Sequence, residues 1–367
     1  MTKYDIAWMP GDGIGKDVSE AARTVLDAVG LDAHYVHADV GWECWVREGD
    51  ALPQRTIDTL RATDCAFFGA ITSKPKAEAE KELSPELRGK GFSYRSPIVR
   101  MRQLLDLYIC MRPIKAYPGN PLNHKEGIDM VVFRENTEDL YVGVEFYPVP
   151  EEMLKIKGME RVPRDAAISL KVNTPKGCER IVRAAFDFAR QHKRKKVTCV
   201  HKANVVRVTD GLFLQTARDV AKEYQEIQFD NANVDSFCMW ALKNPHNYDV
   251  LVAPNLYGDI ISDLCVQMVG GLGFGASGNI GTDYAVFEPT HGSAPKYTGQ
   301  YKVNPIAAIL AGKMMLDWLG EKEMGERVER AVAAVVKEGK VRTYDMGGTS
   351  STLDVAEAIA QNVQEGT

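Results

Sequence analysis

The chain has 367 residues, of which 45% are hydrophobic and 26% are charged, a composition that is ordinary for a globular protein and argues against a disordered one. The net charge of -5 gives no indication of a nucleic-acid or membrane-surface protein, and no apolar run is long enough to cross a bilayer. The 7 cysteines are scattered singly and no secretory signal is evident, so we expect free thiols in a cytoplasmic protein rather than disulfides or a zinc site.

Apolar runs bounded by glycine or proline alternate with helical patterns, which predicts an α/β architecture with a largely parallel sheet. In chain order we predict a strand at 4–9, a helix at 15–29, a strand at 65–70, a helix at 98–108, a strand at 130–133, a helix at 176–190, a strand at 196–201, a helix at 212–224, a strand at 250–254 and helices at 259–269, 305–319 and 324–337.

Two stretches interrupt this alternation. Residues 73–91 are highly charged and end in Gly-x-Gly, which indicates either a solvated helix with a loop or a mobile flap. Residues 145–171 contain three prolines and few apolar runs. An excursion of this kind often packs against a partner subunit, and a plain surface loop is the alternative.

The strongest local pattern lies in residues 255–263, directly after an apolar strand. Asp259 and Asp263 are four residues apart on a predicted helix, which puts both carboxylates on one face, about 6 Å apart at Cβ. Two hard oxygen ligands so placed suit Mg²⁺ or Mn²⁺. The alternative is that Asp259 merely complements the helix dipole and that Asp263 is solvated.

Three arginines favour an anionic ligand. Arg102, Arg112 and Arg134 all accompany apolar segments rather than charged runs. An arginine at the end of a buried strand needs an anion, which a carboxylate supplies through forked pairing. Any one of them could form a structural ion pair, but three together indicate a polycarboxylate substrate.

A possible acid–base pair consists of Tyr141 and Lys202. Tyr141 lies seven residues after Arg134, and Lys202 follows a predicted strand. A lysine beside a tyrosine or a metal can act in proton transfer. Taken alone, each residue is more often a capping or packing group.

Two glycine-containing loops are candidate cofactor sites. Residues 11–15 have the spacing Gly-x-Gly-x-Gly instead of the dinucleotide fingerprint, so we interpret them as a tight strand-to-helix turn. In residues 288–297 glycine and proline hold an irregular loop where His291, Lys296 and Tyr297 could meet an adenine ring and phosphates. An ordinary surface loop is the alternative there.

Together these motifs resemble the decarboxylating 3-hydroxyacid dehydrogenases, the isocitrate and isopropylmalate dehydrogenase family. The resemblance extends from the turn at 10–15 to residues 343–348, and residues 255–274 are close to the family's signature stretch. It implies an α/β fold that is not a usual Rossmann fold. A large domain would combine residues 1–107 and 270–367, and a small domain would comprise residues 108–269, with a subunit clasp near 140–174. The implied assembly is a homodimer with shared active sites.

The resemblance also implies roles for individual residues. Asp259 and Asp263 would hold Mg²⁺ or Mn²⁺ with Asp235 from the other subunit, and Tyr141 would transfer protons with Lys202, again from the other subunit. The implied substrate-binding residues are Ser96, Arg102, Arg112 and Arg134. The implied cofactor-binding residues are His291, Gly292, Ala294, Lys296, Tyr297, Asn304 and Tyr344.

Within the family, the motifs around Arg112, Arg134 and Lys202 look most like isocitrate dehydrogenases, which implies oxidative decarboxylation of isocitrate. Ile98 departs from this pattern, since asparagine is expected there, and keeps isopropylmalate, homoisocitrate and tartrate as alternatives.

Lys296, Tyr297 and Tyr344 favour NADP as the cofactor. Asn244 and Gly348 replace arginines that an NADP-binding relative is expected to have, so NAD is the alternative cofactor. A non-catalytic regulatory subunit is the remaining alternative, and it is disfavoured because every implied metal, proton-transfer and arginine position is filled.

Overall fold

A computed structural model describes residues 2–366; Met1 and Thr367, at the outer ends of the implied large domain, lie outside the described residues. One ten-stranded sheet organises the chain in the order β2-β1-β3-β12-β11-β4-β5-β10-β8-β9, and β6 and β7 form a separate two-stranded sheet. The strands are β1 Tyr4–Gly11, β2 Ala33–His37, β3 Cys65–Ala70, β4 Ile109–Lys115, β5 Asp129–Glu135, β6 Glu145–Phe146, β7 Ile168–Ser169, β8 Lys196–His201, β9 Gln228–Asn233, β10 Val250–Ala253, β11 Ala276–Ile280 and β12 Ala285–Pro289.

Helices cover both faces of the large sheet. They are α1 Gly15–Val29, α2 Trp42–Glu48, α3 Gln54–Arg61, α4 Lys76–Glu82, α5 Pro97–Leu104, α6 Glu151–Leu154, α7 Pro175–Gln191, α8 Thr209–Ala221, α9 Val234–Lys243, α10 Asn255–Gln267, α11 Ile306–Trp318, α12 Lys322–Glu338 and α13 Thr352–Glu365. Within residues 2–366, none of these helices combines the length and apolarity that crossing a bilayer requires.

The predicted α/β architecture is confirmed, but the sheet is mixed. Neighbouring strands run parallel in both outer parts, whereas β11 is antiparallel to β12 and β4, and β4 is antiparallel to β5. The antiparallel strands β4, β11 and β12 were not predicted, because each is short and interrupted by polar residues or glycine that pack inside the sheet.

Several predicted helices have different bounds in the structure; the helix predicted at 212–224 is Thr209–Ala221, and those predicted at 98–108 and 259–269 differ most. The helix predicted at 98–108 ends at Leu104, since Asp106 has a left-handed backbone (φ 46°) and the chain turns there into β4. The helix predicted at 259–269 already begins at Asn255, directly after Pro254. Asp259 therefore lies in the second turn of α10, too far inside for the helix-dipole interpretation to account for it.

The core divides into separate clusters. In an outer cluster, α1, α11, α12 and α13 pack on β1, β3, β11 and β12, around residues such as Ile6, Phe67 and Phe287. In a middle cluster, α7 and α8 pack on β4, β5, β8 and β10, around residues such as Phe133 and Phe186. The outer cluster thus joins both ends of the chain, whereas the middle cluster uses the segment between them.

Both atypical stretches have defined structure. Within 73–91, Ala79 of α4 and the following Leu83 pack against Trp45 of α2, whereas Glu78, Glu80 and Lys81 are exposed, which fits the alternative of a solvated helix with a loop. Residues 145–171 carry the small β6–β7 sheet and α6. Tyr147 and Ile156 in this excursion are exposed.

Glu329 of α12 forms ion pairs with Lys313 of α11 (3.2 Å) and Lys115 of β4 (2.5 Å). Burial raises the pKa of Glu329, but the two lysines outweigh it and hold the pKa below its ordinary value. We expect Glu329→Gln to lower the free energy of unfolding by about 1–2 kcal/mol at pH 7. Because the folded-state pKa is depressed, this stability is present above the ordinary carboxyl pKa of about 4.3 and is lost as the pH falls through the lowered value.

Denaturant titrations of parent and variant at pH 7 and in acid test this expectation. Glu326→Gln is the matched control, because Glu326 lies on the exposed side of the same helix and has only a 3.8 Å pair with Arg330. A difference between parent and Glu329→Gln that persists undiminished below pH 3 would contradict the ion-pair explanation.

Candidate active site

Arg134 lies near the end of β5 with 1% of its surface exposed. Its Nε donates to Asn255 Oδ1 at 2.9 Å, and its Nη1 forms an ion pair with Asp259 Oδ1. Parallel pairing of β5 with β10 brings the start of α10 to this end of the sheet. Gly258 permits the close approach, because a Cβ there would lie 2.6 Å from the Cβ of Arg134. The Asn-x-x-Gly-Asp spacing therefore allows the start of α10 to pack directly against the buried guanidinium group of Arg134.

Arg112 reaches the same helix from β4. The register sets Cys110 opposite Arg134, so Arg112 and Arg134 point to the same face of the sheet. Arg112 Nη1 donates to Ser262 Oγ at 2.6 Å and to Asp263 Oδ1 at 3.0 Å, while its Nη2 lies 3.7 Å from Asp259 Oδ1. The two arginines and the two aspartates thus form one cluster.

The guanidinium groups of Arg112 and Arg134 lack hydrogen-bond acceptors for some of their N–H groups. Arg134 Nη2 and Arg112 Nε are buried and make no hydrogen bond with the described residues. Burial and the positive charge of Arg102 hold the pKa of Arg134 below its ordinary value, although Asp259 opposes them. Buried N–H groups without acceptors cost free energy, which an anion bound here would recover.

Arg102 of α5 is held in a buried polar network. Its Nε donates to Asn279 Oδ1 at 2.9 Å, and its Nη2 lies 3.4 Å from Glu288 Oε1. Asn279 Nδ2 donates to the same Glu288 oxygen at 2.7 Å, and Asn136 Nδ2 donates to Asn279 Oδ1 at 3.0 Å. This network fixes the direction of the Arg102 side chain.

Arg102 and Arg112 line a cavity of about 170 Å³ together with Ile98, His291 and Gly292. Two of the arginines predicted to bind substrate therefore share a cavity with part of the predicted cofactor loop. Ile98 gives this cavity an apolar wall. Burial lowers the pKa of His291, which favours the neutral imidazole at this position.

Ser96 lies one residue before α5, and its side chain does not cap the helix. It is not among the residues that line the cavity beside Ile98. The neighbouring Arg100 forms an ion pair with Asp50, so its charge is already matched. The structure therefore places Ser96 outside the lining of this cavity, directly before the helix that carries Arg102.

Tyr141 joins the cluster from the loop after β5. Its hydroxyl donates to Asp259 Oδ2 at 2.6 Å, and the Arg134 guanidinium lies 4.9 Å from the centre of its ring. Burial raises the pKa of Tyr141, and the Asp259 carboxylate adds to the rise. The phenol is therefore protonated at neutral pH and has a proton to donate.

Asp259 and Asp263 differ in their electrostatics. Burial raises the pKa of Asp259, but Arg134 and Tyr141 outweigh it and the net pKa is lowered. The pKa of Asp263 is raised by burial, against the opposing effect of Arg112. The carboxylates fit a hard divalent cation, but residues 2–366 of one chain bring together no group of three acidic, histidine or cysteine side chains that could hold one.

Lys202 and Asp235 form a second group. Lys202 follows β8 and Asp235 lies in the first turn of α9, and Lys202 Nζ donates to Asp235 Oδ1 at 2.5 Å. Among the hydrogen bonds and ion pairs of the described residues, none links this pair to Asp259 or Tyr141. The sequence-predicted metal and proton-transfer residues thus fall into two sets in one chain.

Most of the predicted cofactor-binding residues surround a cavity of about 440 Å³. Its lining includes Ile14 and Gly271, and also the predicted residues His291, Ala294, Tyr297, Asn304 and Tyr344. Lys296 is exposed and lies with its Nζ 4.7 Å from the centre of the Tyr297 ring. Tyr297 and Tyr344 lie with ring centroids 6.0 Å apart. The two aromatic rings line this cavity, and the Lys296 cation lies against one of them, outside the residues that line it.

Gly348 and Asn244 occupy the two positions where the resemblance implies phosphate-binding arginines. A Cβ on Gly348 would lie 2.1 Å from the backbone oxygen of Arg342, so this position accepts only glycine. Asn244 is exposed at the end of α9. Sequence reasoning missed Lys302, whose Nζ lies 5.4 Å from the Tyr344 ring centre and supplies another positive charge.

Comparison with known proteins identifies the family to which the chain belongs. Residues 5–359 match the family model described as isocitrate/isopropylmalate dehydrogenase. The chain belongs to this family. It is 40% identical over 364 residues to homoisocitrate dehydrogenase of Methanocaldococcus jannaschii, covering 97% of this chain and 96% of that protein.

Two further relatives of the isocitrate/isopropylmalate dehydrogenase family show the same level of similarity. The 3-isopropylmalate/3-methylmalate dehydrogenase of the same organism is 40% identical over 366 residues, covering 99% of both chains. The crystal structure of isocitrate dehydrogenase from Methylococcus capsulatus superimposes with a TM-score of 0.87 at 40% identity, covering 98% of this chain and 99% of that one. The chain is therefore a decarboxylating dehydrogenase, and relatives named for three different substrates are equally similar to it.

Membership in the isocitrate/isopropylmalate dehydrogenase family does not by itself reveal the residues that orient the arginines. Sequence reasoning missed Asn279, Glu288 and Asn136, which hold Arg102. A weak signal was present, because Asn279 and Glu288 are polar residues inside otherwise buried strands. A buried strand carries such residues only when they have partners.

Proposed function

We propose that this protein catalyses the oxidative decarboxylation of isocitrate to 2-oxoglutarate and carbon dioxide, with reduction of NAD(P). The observation that carries the proposal is the cluster of three buried arginines, two of them with unpartnered N–H groups, beside two aspartates. Such a cluster suits a small molecule with several carboxylates and a hydroxyl group. Homoisocitrate and isopropylmalate are the next candidates, supported by the apolar Ile98 in the cavity beside Arg102.

In the proposed complex, Arg102, Arg112 and Arg134 bind the substrate carboxylates and fix the carbon that loses hydride. Ser96 would bind the distal carboxylate from its position directly before α5. The supporting geometry is that Arg112 and Arg134 share one face of the sheet and Arg102 is held by Glu288 and Asn279.

We assign the metal to Asp259 and Asp263 of one subunit and Asp235 of the partner subunit. The donor set is made of hard carboxylate oxygens, which suits Mg²⁺ or Mn²⁺. When bound, the ion would supply Lewis-acid stabilisation of negative charge on the substrate oxygen. Arg112 and Arg134 already contact both carboxylates of this chain and keep them oriented toward the substrate position.

Proton transfer is assigned to Tyr141 and to Lys202 of the partner subunit. A base must take the proton of the substrate hydroxyl as hydride leaves for the nicotinamide, and an acid must return a proton to carbon after carbon dioxide is lost. Tyr141 suits the second step because its raised pKa keeps it protonated.

A homodimer is supported by the exposed apolar surface around both sets of residues. Large apolar side chains that soluble monomers seldom expose in groups lie beside the Lys202–Asp235 pair and beside Asp259. These are Val205, Val208, Met239, Trp240 and Ile260. A second copy of the chain would cover them and bring Lys202 and Asp235 to the arginine cluster, and the 145–171 excursion would clasp the partner.

The division into domains follows the two core clusters. We propose a large domain of residues 1–107 and 270–367 and a small domain of residues 108–269. It is supported by the outer cluster, which joins both ends of the chain, and by the middle cluster, which lies within 108–269. The buried thiols, of which only Cys238 is partly accessible, fit a reducing cytoplasm.

The cofactor is proposed to bind in the 440 Å³ cavity along residues 291–297. His291 lines both this cavity and the substrate cavity, and Gly292 follows it on the side of the substrate cavity. NADP is favoured, because Lys296 and Lys302 flank the Tyr297 and Tyr344 rings where a phosphate could bind. NAD remains the alternative, since Asn244 and Gly348 supply no charge.

We expect Lys296→Asp to raise the KM for NADP at least about tenfold and to leave the KM for NAD within about threefold, because only NADP carries the additional phosphate. Steady-state kinetics with both cofactors measure this. Lys337→Asp, on the exposed part of α12, is the charge-matched control. Equal increases for both cofactors would argue against phosphate binding by Lys296.

The substrate is tested with isocitrate, homoisocitrate, isopropylmalate and tartrate, each with NAD and NADP and with or without Mn²⁺. The proposal requires that isocitrate give the highest kcat/KM and that chelation of the metal abolish it. Formation of reduced nicotinamide with isopropylmalate but not with isocitrate would overturn the choice of substrate. No activity with any acid would favour the regulatory-subunit alternative.

A further inference from the structure

The Gly-x-Gly-x-Gly turn after β1 contains a buried carboxylate with no part in the proposed chemistry. Asp12 is 4% exposed and accepts three backbone hydrogen bonds. They come from Trp42 N (2.7 Å) and Glu43 N (3.4 Å) at the start of α2, and from Thr72 N (2.9 Å) after β3. A carboxylate so enclosed ties together three segments that are remote in sequence.

Thr72 connects this anchor to the proposed cofactor loop. Its backbone N–H donates to Asp12, and its hydroxyl group is hydrogen-bonded to Ser293 Oγ at 2.6 Å. Its backbone oxygen accepts a 3.0 Å hydrogen bond from the hydroxyl of Tyr94. Every polar group of Thr72 is thus used to join the turn at Asp12, the loop at Ser293 and the end of the charged stretch.

The charged stretch between Thr72 and Tyr94 is itself fastened to α2. Trp42 Nε1 donates to Glu82 Oε2 at 2.7 Å, and Trp45 Nε1 donates to the backbone oxygen of Ala79 at 2.9 Å. The Tyr94 ring packs against both indoles, with centroids 5.2 Å from Trp42 and 5.4 Å from Trp45. Residues 73–94 therefore form a closed loop attached at α2 and at Thr72.

The part of the cofactor loop that contacts Thr72 has an unfavourable backbone conformation. Ala294 has a φ of 35°, in the left-handed region that non-glycine residues seldom adopt. The preceding Ser293 is 5% exposed, and its backbone oxygen accepts from Ile14 N at 2.9 Å. Gly13 packs so closely that a Cβ on it would lie 2.1 Å from that oxygen. The conformation of this loop thus depends on its contacts with Thr72 and with the turn at Gly13 and Ile14.

We propose that residues 73–94 are a brace that positions Ser293 and Ala294 through Thr72, with Asp12 as its buried anchor. Thr72 and Tyr94 are then positioning residues for nicotinamide nucleotide binding, acting through the cofactor loop. This proposal rests on the proposed function, since it presumes that NAD(P) binds along residues 291–297. The alternative is the mobile flap considered for the charged stretch. A flap that covered the substrate cavity would affect the KM for the hydroxy acid and not the KM for the cofactor.

The test compares Tyr94→Phe and Thr72→Val, each of which removes one hydroxyl and little volume. We expect each variant to raise the KM for the cofactor about three- to tenfold, as the loss of one hydrogen bond from a positioned loop predicts. The kcat and the KM for the hydroxy acid should stay within about twofold of the parent. Tyr284→Phe is the matched control, because its hydroxyl bonds Thr63 at 2.9 Å, away from the cofactor loop.

A KM for the cofactor that is unchanged in both variants, in proteins with the parent's melting temperature, would overturn the brace. A rise confined to the KM for the hydroxy acid would overturn it in favour of the flap. Isothermal titration with NADP and NAD gives the same comparison without turnover. If the parent forms no reduced nicotinamide and binds neither nucleotide, the proposed function fails; an active parent with unaffected variants disproves only the brace.

Discussion

Replacing Asp259 by asparagine is expected to lower kcat at least about 100-fold, since it removes a metal-binding carboxylate and an electrostatic partner of the reacting centre. Asp259 accepts from Tyr141 and pairs with Arg134 and Arg112, so a neutral amide there also loosens the substrate arginines. The variant keeps the volume of the side chain. The measurement is kcat with saturating hydroxy acid and Mn²⁺, together with thermal unfolding.

Asp58→Asn is the control for this substitution, because Asp58 is exposed on α3 and its carboxylate accepts, within residues 2–366, a hydrogen bond from Gln54 alone. It should leave kcat unchanged. Retention of full activity in Asp259→Asn, at any concentration of Mn²⁺, would rule out the metal role assigned to Asp259.

Mixing two inactive variants is expected to restore activity if the active site is shared between subunits. Lys202→Met and Asp259→Asn disable different sets of residues in one chain. In a hybrid dimer, one site would combine an intact Asp259 with an intact Lys202 of the partner subunit, and the other site would carry both defects. Random reassociation should then recover about a quarter of the parent's activity, and the purified hybrid about half.

The control pair for this experiment is Asp259→Asn with Tyr141→Phe. These two residues are hydrogen-bonded within one chain, so every site of their hybrid keeps one defect and no activity should return. Recovery with this pair, or none with the Lys202 and Asp259 pair in verified hybrid dimers, would contradict the proposed division of residues between subunits.

Much of the fold was predictable wherever a local pattern decided the structure. The bounds of α1, β3 and β8 follow directly from apolar periodicity, and Gly30 marks the end of α1. Strands β11 and β12 were not predictable, because Asn279 and Glu288 are acceptable inside the sheet only through their contact with Arg102. Local sequence does not contain that long-range partner.

The sequence alone proposes the members of the candidate site but not their arrangement. Asp259 and Asp263 share a helix, so their spacing alone made them neighbours. The contact of Tyr141 with Asp259, 118 residues apart, depends on the pairing of β5 with β10. The pairing of Lys202 with Asp235, apart from that cluster, depends similarly on β8 lying beside β9.

The outer cluster has a consequence for the order of folding during synthesis. Strand β1 and helix α1 leave the ribosome early, yet their apolar faces are buried by α11 and α13, near the other end of the chain. The middle cluster is complete once β10 has emerged. We therefore expect the continuous middle segment to fold first, while the N-terminal segment stays exposed to chaperones until α13 is available.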